Sequence, residues 1–99
     1  MPRPPALTID DIDAFLRRAP RWRYEDGCLV LSATAPDFLS GIGWVQTIAQ
    51  AAEQADHHPD IDIRWRTVTF RLTTHDVGAV TSLDTDLARA IDAVIDGSG

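Results

Sequence analysis

Two spacings of apolar residues alternate along the chain, and each switch marks the boundary of an element. Ile9, Ile12, Phe15 and Leu16 recur at helical spacing, and Pro20 ends the run. Thr8-Ile-Asp-Asp11 ahead of them resembles a capping box, with Asp in place of the usual Glu. Arg21 to Glu25 and Cys28 to about Thr34 then read as strands. Asp26-Gly27 between them is a strong hairpin signal. Asp37 caps a second predicted helix running to about Asp56, with Leu39, Ile42, Val45, Ile48, Ala49 and Ala52 on one face. Gly41 and Gly43 weaken its first turns, and Pro59 disfavours helix at His58.

From Ile61 to Thr74 the apolar residues change parity. Ile63 and Trp65 point one way from odd positions, then Val68, Phe70 and Leu72 do so from even ones. A tight reversal at Arg66-Thr67 accounts for the switch, and a bulged single strand is the alternative. Thr81-Ser-Leu-Asp84 is a second capping-box-like start. It opens a third helix with Leu83, Leu87, Ile91 and Val94 inward and Gly97 at its end. The predicted order is α-β-β-α-β-β-α. Two hairpins imply an antiparallel sheet, and Thr67, Thr69, Arg71 and Thr73 make its second face polar. The expectation is an α+β fold: a four-stranded antiparallel sheet with three helices packed on one face. Residues 1–7 read as a flexible N-terminal arm and 8–96 as a single domain. Four strands leave open edges, so self-association is expected.

Composition narrows the class. The chain has 99 residues, 44% hydrophobic and 24% charged, as in ordinary globular domains. Fifteen acidic residues against nine Lys and Arg give a net charge of −6, which argues against direct nucleic-acid binding. Arg21-Trp22-Arg23 and Arg64-Trp65-Arg66 could each grip an anion, but strands with Trp inward and Arg outward explain them as well. The longest uncharged run, Phe38 to Ala52, falls short of the roughly 20 apolar residues a membrane span needs. A single cysteine, Cys28, excludes an internal disulfide, and the N-terminus lacks an apolar signal region. A cytoplasmic location is the expectation.

The chemistry gathers at Glu53-Gln-Ala-Asp-His-His-Pro59. Glu53 and His57 share a helix face one turn apart. By forcing His58 into extended backbone, Pro59 lets both imidazoles turn to one side of the helix end. Two strands of similar length then carry the chain out and back, returning His75 to the doublet, and Asp84 starts the last helix nearby. A pocket of three imidazoles with Glu53, Asp56 and Asp84 suits general acid–base chemistry without a covalent intermediate. Other readings stand beside it. The histidines could be surface residues favoured by a helix C-terminus, metal ligands beside Glu53, or a structural histidine–carboxylate network.

Glu53-x-x-x-His57-His58-Pro59, followed at fixed gaps by Trp65, His75 and Asp84, resembles pterin-4a-carbinolamine dehydratase. So do A-E-x-x-x-H-H-P-D, V-T-F-R-L-T-T-H and L-D-T-D-L-A-R-A-I-D, and the similarity runs from Leu7 to Ile95. The resemblance implies dehydration of 4a-hydroxytetrahydrobiopterin, or a related tetrahydropterin, to the quinonoid dihydropterin in pterin cofactor recycling. It implies His57, His58 and His75 as the acid–base residues, with Glu53 and Asp84 supporting them. Asp56, Pro59 and Trp22 would line the substrate site. No metal or organic cofactor is implied, since the pterin is the substrate. Homodimers or homotetramers are implied, with an aromatic amino-acid hydroxylase as pathway partner and no membrane. The alternative on the same fold is a non-catalytic pterin-binding, dimerisation-cofactor or assembly-factor protein. One departure stands out: Ala33-Thr34-Ala35 replaces a Phe-x-Phe pattern common in the family, and Trp44 is expected to refill that volume.

Overall fold

The computed structural model describes residues 3–97; Met1 and Pro2 of the expected arm, with Ser98 and Gly99, lie outside the described residues. The helices are α1 (Ile9–Arg18), α2 (Phe38–Ala55) and α3 (Ser82–Asp96). The strands are β1 (Arg23–Glu25), β2 (Cys28–Thr34), β3 (Asp60–Arg64) and β4 (Thr67–Leu72), giving the order α-β-β-α-β-β-α. All strand pairs are antiparallel, in the spatial order β1-β2-β4-β3. This is the architecture expected from the alternation.

One face of the sheet presents Leu29, Leu31, Val68, Phe70 and Leu72. They pack against Ile12 and Phe15 of α1, Ile48 of α2, and Leu87, Ala88 and Ile91 of α3. Burying each large side chain fully contributes about 1.5–3 kcal/mol, so this face explains why all the helices lie on one side. The opposite face is tied by polar pairs instead. Ser32 and Thr69 hydroxyls lie 2.8 Å apart, Thr34 and Thr67 hydroxyls 3.2 Å, and Arg71 reaches Glu25 at 3.5 Å.

Local signals were kept where they are chemically specific. The Thr8 hydroxyl accepts from the Asp11 N–H at 3.1 Å and Asp11 accepts from the Thr8 N–H at 3.1 Å, completing the box in its Asp form. Asp26 and Gly27 both have positive φ, 52° and 78°, as a two-residue turn between antiparallel strands requires. Asp37 caps α2 by accepting the Ser40 N–H at 2.7 Å.

Three expectations changed. The second hairpin turns at Trp65-Arg66, one residue earlier than predicted, because Arg64 pairs with Thr67. Trp65 therefore occupies the turn with φ 54° and is 72% exposed, instead of facing inward from a strand. The Arg66 guanidinium stacks on its ring at 4.6 Å and donates to the Ala35 carbonyl at 3.1 Å. On α2 the buried positions are Gly41, Ile48 and Ala52, while Leu39 and Ala49 are exposed. The polar residues from Phe38 to Ala52 are all uncharged (Ser40, Gln46, Thr47 and Gln50), so the edges of the buried side were only weakly marked. Ile9 lies in the first turn of α1, outside the packed cluster, and is exposed. Trp44 packs on the core from α2, partly buried, with Ala35 buried beneath the same helix near Gly41.

Candidate active site

The end of α2 sets the first half of the site. Asp56 adopts the left-handed conformation, φ 50° and ψ 44°. Its N–H donates to the Glu53 carbonyl at 3.2 Å and the His57 N–H donates to the Ala52 carbonyl at 3.0 Å. That pair of bonds is a Schellman closure. The turn of the chain is thus made at Asp56, ahead of Pro59, and it swings His57 and His58 out of the helical path before β3 begins. Pro59 then leads the half-buried link into the edge strand.

The second half comes from the link between β4 and α3. Thr74 donates its N–H to the Ala79 carbonyl at 3.1 Å, and the Val77 and Gly78 N–H groups return to the Thr74 carbonyl at 3.0 and 2.8 Å. Gly78, at φ 75°, supplies the left-handed residue that this tight loop needs. His75 and Asp76 sit at its tip. The two halves meet in an open cleft of about 170 Å³ lined by Arg3, Asp56, His57, His58, Thr73, Thr74, His75 and Asp76.

A buried polar network lies beneath. His57 Nε2 lies 2.5 Å from Asp84 Oδ1, with side chains 7% and 0% exposed. Asp84 Oδ2 accepts the Thr81 N–H at 2.9 Å and the Thr74 hydroxyl at 2.8 Å. Since Thr74 spends its proton on Asp84, the Thr81 hydroxyl donates to Thr74 across their 2.7 Å contact. Thr81 also accepts the Leu83 N–H at 3.2 Å. An ionised Asp84 only accepts, so the proton in its bond to His57 belongs to Nε2, which leaves Nδ1 as the ring's remaining polar atom. The residue that completes the capping box of α3 is therefore also the partner of the buried histidine.

His58 is arranged differently. Its Nε2 lies 2.9 Å from Glu53 Oε1, and the two side chains are 55% and 76% exposed. His75 lines the cleft from the exposed loop.

The sequence-predicted residues are thus divided. His57, His58, His75 and Asp56 line one cleft, and Asp84 and Glu53 each hold one of its imidazoles. Trp22 lies elsewhere. Its ring is in the hydrophobic core, 4% exposed, and its indole N–H donates to Asp92 Oδ1 at 3.0 Å, so it forms no wall of this cleft. Pro59 adjoins the cleft in sequence but does not line it. Residues that spacing missed are Thr73, Thr74, Asp76 and Arg3. Thr74 carried a signal in V-T-F-R-L-T-T-H, where a polar residue continues an inward-facing parity. Arg3 carried none, because nothing local ties it to the histidines.

Larger grooves of about 300 and 510 Å³ lie on the helical side, but neither is lined by a histidine. Among the described residues, no three His, Cys, Asp or Glu side chains gather so as to hold a metal ion. Among them, too, no helix is long and apolar enough to cross a membrane.

Fold and site define a small α+β domain that brings three imidazoles to one cleft over a buried carboxylate. The profile of the pterin 4 alpha carbinolamine dehydratase family matches residues 5–94. A "Putative pterin-4-alpha-carbinolamine dehydratase" of Mycobacterium sp. (strain KMS) is 51% identical over 90 residues, covering 91% of this chain and 96% of the relative. One of the same name from Mycobacteroides abscessus is 52% identical over 89 residues, 90% of this chain and 95% of the relative. The crystal structure of a transcriptional coactivator/pterin dehydratase from Brucella melitensis superposes with a TM-score of 0.88 at 30% identity, over 91% of this chain and 98% of that one. A pterin dehydratase-like RuBisCO assembly factor of the alpha-carboxysome shares the fold, with a TM-score of 0.64 at 16% identity over 79% of this chain and 90% of that one. The chain belongs to the pterin 4 alpha carbinolamine dehydratase family.

Proposed function

We propose that this protein dehydrates a 4a-hydroxytetrahydropterin to the quinonoid dihydropterin by histidine general acid–base catalysis, in pterin cofactor recycling. The observation that carries the reading is the convergence of His57, His58 and His75 on one cleft in a chain of this family. Loss of water from the substrate breaks the C4a–O bond and the N5–H bond. One group must protonate the departing hydroxyl, and another must accept the N5 proton as its electron pair forms the C4a=N5 bond. Two or more imidazoles around one ring can do both from different sides, since histidine exchanges protons near neutrality.

The environments divide the labour. His57 is fixed by Asp84, whose anionic carboxylate compensates the charge that forms when Nδ1 takes a proton. It is the fixed base of the reading. His58 and His75 are exposed and reach solvent, which suits delivery of a proton to the hydroxyl and its replacement from water. Glu53 orients His58, and Asp56 lines the substrate side. Pterin is substrate here, and the roles invoke no metal or organic cofactor.

The test is stopped-flow ultraviolet absorbance of freshly made 4a-hydroxytetrahydropterin, with and without protein. We expect acceleration over the spontaneous reaction, with His58→Ala and His75→Ala each losing most of it while remaining folded. General acid–base groups contribute about 10²–10⁴-fold, and appreciable spontaneous dehydration compresses the visible loss. A wild-type protein without effect on the rate would move the reading to a non-catalytic pterin-binding or assembly role. Full activity in both variants would mean that the proton-transfer roles are misassigned.

A further inference from the structure

Arg3 stands far from the other cleft residues in sequence, yet its guanidinium touches both halves of the site. Its Nε donates to Asp76 Oδ2 at 3.2 Å, and its Nη2 donates to the Asp56 carbonyl at 3.1 Å. Asp56 is the residue directly before His57-His58, and Asp76 is the residue directly after His75. The two bonds therefore join the segments that carry the three imidazoles, across the mouth of the cleft between them.

The arm is built to deliver this group. Leu7 donates its N–H to the Val80 carbonyl at 2.9 Å and packs on the core, which anchors the arm beside the start of α3. Between Leu7 and Arg3 stand Pro4 and Pro5. Each fixes φ near −65°, so the strap is stiff and loses little entropy in holding one shape. A planar fork with adjacent donors can span two acceptors that a compact ammonium cannot. An ion pair as exposed as Arg3–Asp76 contributes little to global stability. Its consequence is local.

We propose that Arg3 is a positioning residue: the proline-stiffened arm uses its guanidinium to clamp the Asp56–His58 turn to the His75–Asp76 loop, setting the distance between the imidazoles. The inference rests on the dehydratase reading for its kinetic consequence but not for the clamp itself. Small displacements of catalytic groups are costly, since a misplacement of ~1 Å can cost about 10²-fold in rate.

Two measurements on the full chain test it. In the stopped-flow assay, Arg3→Ala should lower kcat by roughly tenfold with KM changed by less than about twofold. Arg3→Lys should recover part of that loss, since one of the two segments can still be held. Pro4→Gly with Pro5→Gly, leaving Arg3 in place, should lower kcat by a smaller factor, roughly threefold, by loosening the strap. Unchanged kcat in Arg3→Ala would overturn the proposal. So would a rise in KM alone, which would make Arg3 a ligand contact at the rim.

Hydrogen exchange supplies the arm that needs no substrate. In Arg3→Ala the His57 and Gly78 amides, which close the two clamped turns, should exchange roughly tenfold faster, with core amides of β2 and β4 unchanged. Unchanged exchange at both amides, or a uniform rise throughout the core, would overturn the clamp. If wild-type protein accelerates nothing, the dehydratase reading fails, and the exchange result still decides whether Arg3 holds the two segments together.

Discussion

His57 and His58 are sequence neighbours, each bonded through Nε2 to a carboxylate at hydrogen-bonding distance, yet the two pairs do different physical work. The His57–Asp84 pair is buried, and the carboxylate takes two further donors from Thr81 and Thr74. Water cannot replace any partner there, so each lost bond strands a buried polar group. The His58–Glu53 pair stands in solvent, where water offers both side chains nearly equal bonds and salt screens what remains. Similar contact distances therefore conceal a large difference in what each contact is worth. The buried pair is architecture that also places an imidazole, whereas the exposed pair orients its imidazole weakly and leaves it open to solvent.

The sharpest attack on that comparison is Asp84→Ala. His57 Nε2–H, the Thr74 hydroxyl and the Thr81 N–H would lose their acceptor together, so we expect about 3–5 kcal/mol of destabilisation by urea unfolding. Wild-type stability in that variant would mean the network is not the structural element its burial implies. Next in size is the split between the histidines themselves. His57→Ala should cost about 1–3 kcal/mol by leaving the buried Asp84 oxygen unpaired. His58→Ala and Glu53→Gln should each stay within about 0.5 kcal/mol. Equal stability losses at His57 and His58 would erase the distinction.

The smallest expected effect concerns an exposed carboxylate that caps a helix, in contrast to the buried Asp84 in the first turn of α3. Asp37 caps α2 in full solvent, and the Ser40 backbone N–H, followed by the Ser40 side chain, holds its carboxyl below the usual range. A lowered folded-state value means stability that is present above the unfolded carboxylate range and lost as pH falls through the folded value. The gap in Tm between wild type and Asp37→Asn should therefore close on acidification. A gap that is constant with pH would show that the cap acts through its shape and hydrogen bond alone.

Much of the fold was legible because its signals are local and chemically specific. Thr8-x-x-Asp11, Asp26-Gly27, Asp37 and Thr81-x-x-Asp84 each name a backbone geometry that few residue types satisfy, and each stands where it was expected. The α2 stripe was legible at Ile42, Val45, Ile48 and Ala52 but not at Leu39 and Ala49, since no charge from Phe38 to Ala52 sharpens the boundary between its polar and apolar sides. Nor was the place of Trp65, because a turn without Gly or Asn in the tip gives no mark of its own. Within the site, spacing brought His57, His58, His75 and Asp84 to one neighbourhood. The inward Trp22 of the residue pattern is what the structure shows, its ring buried in the core and its one donor satisfied by Asp92; only the resemblance had set it at the substrate site.

The sequence alone determined the element order, the turns and the identity of the histidine and carboxylate set, because these depend on near neighbours and on periodicity. Only the tertiary structure decided which carboxylate is buried and which histidine it holds. It alone also placed Arg3 across the cleft from the far end of the chain. Those outcomes depend on what solvent is excluded from, and exclusion is a property of packed elements that no stretch of chain carries by itself.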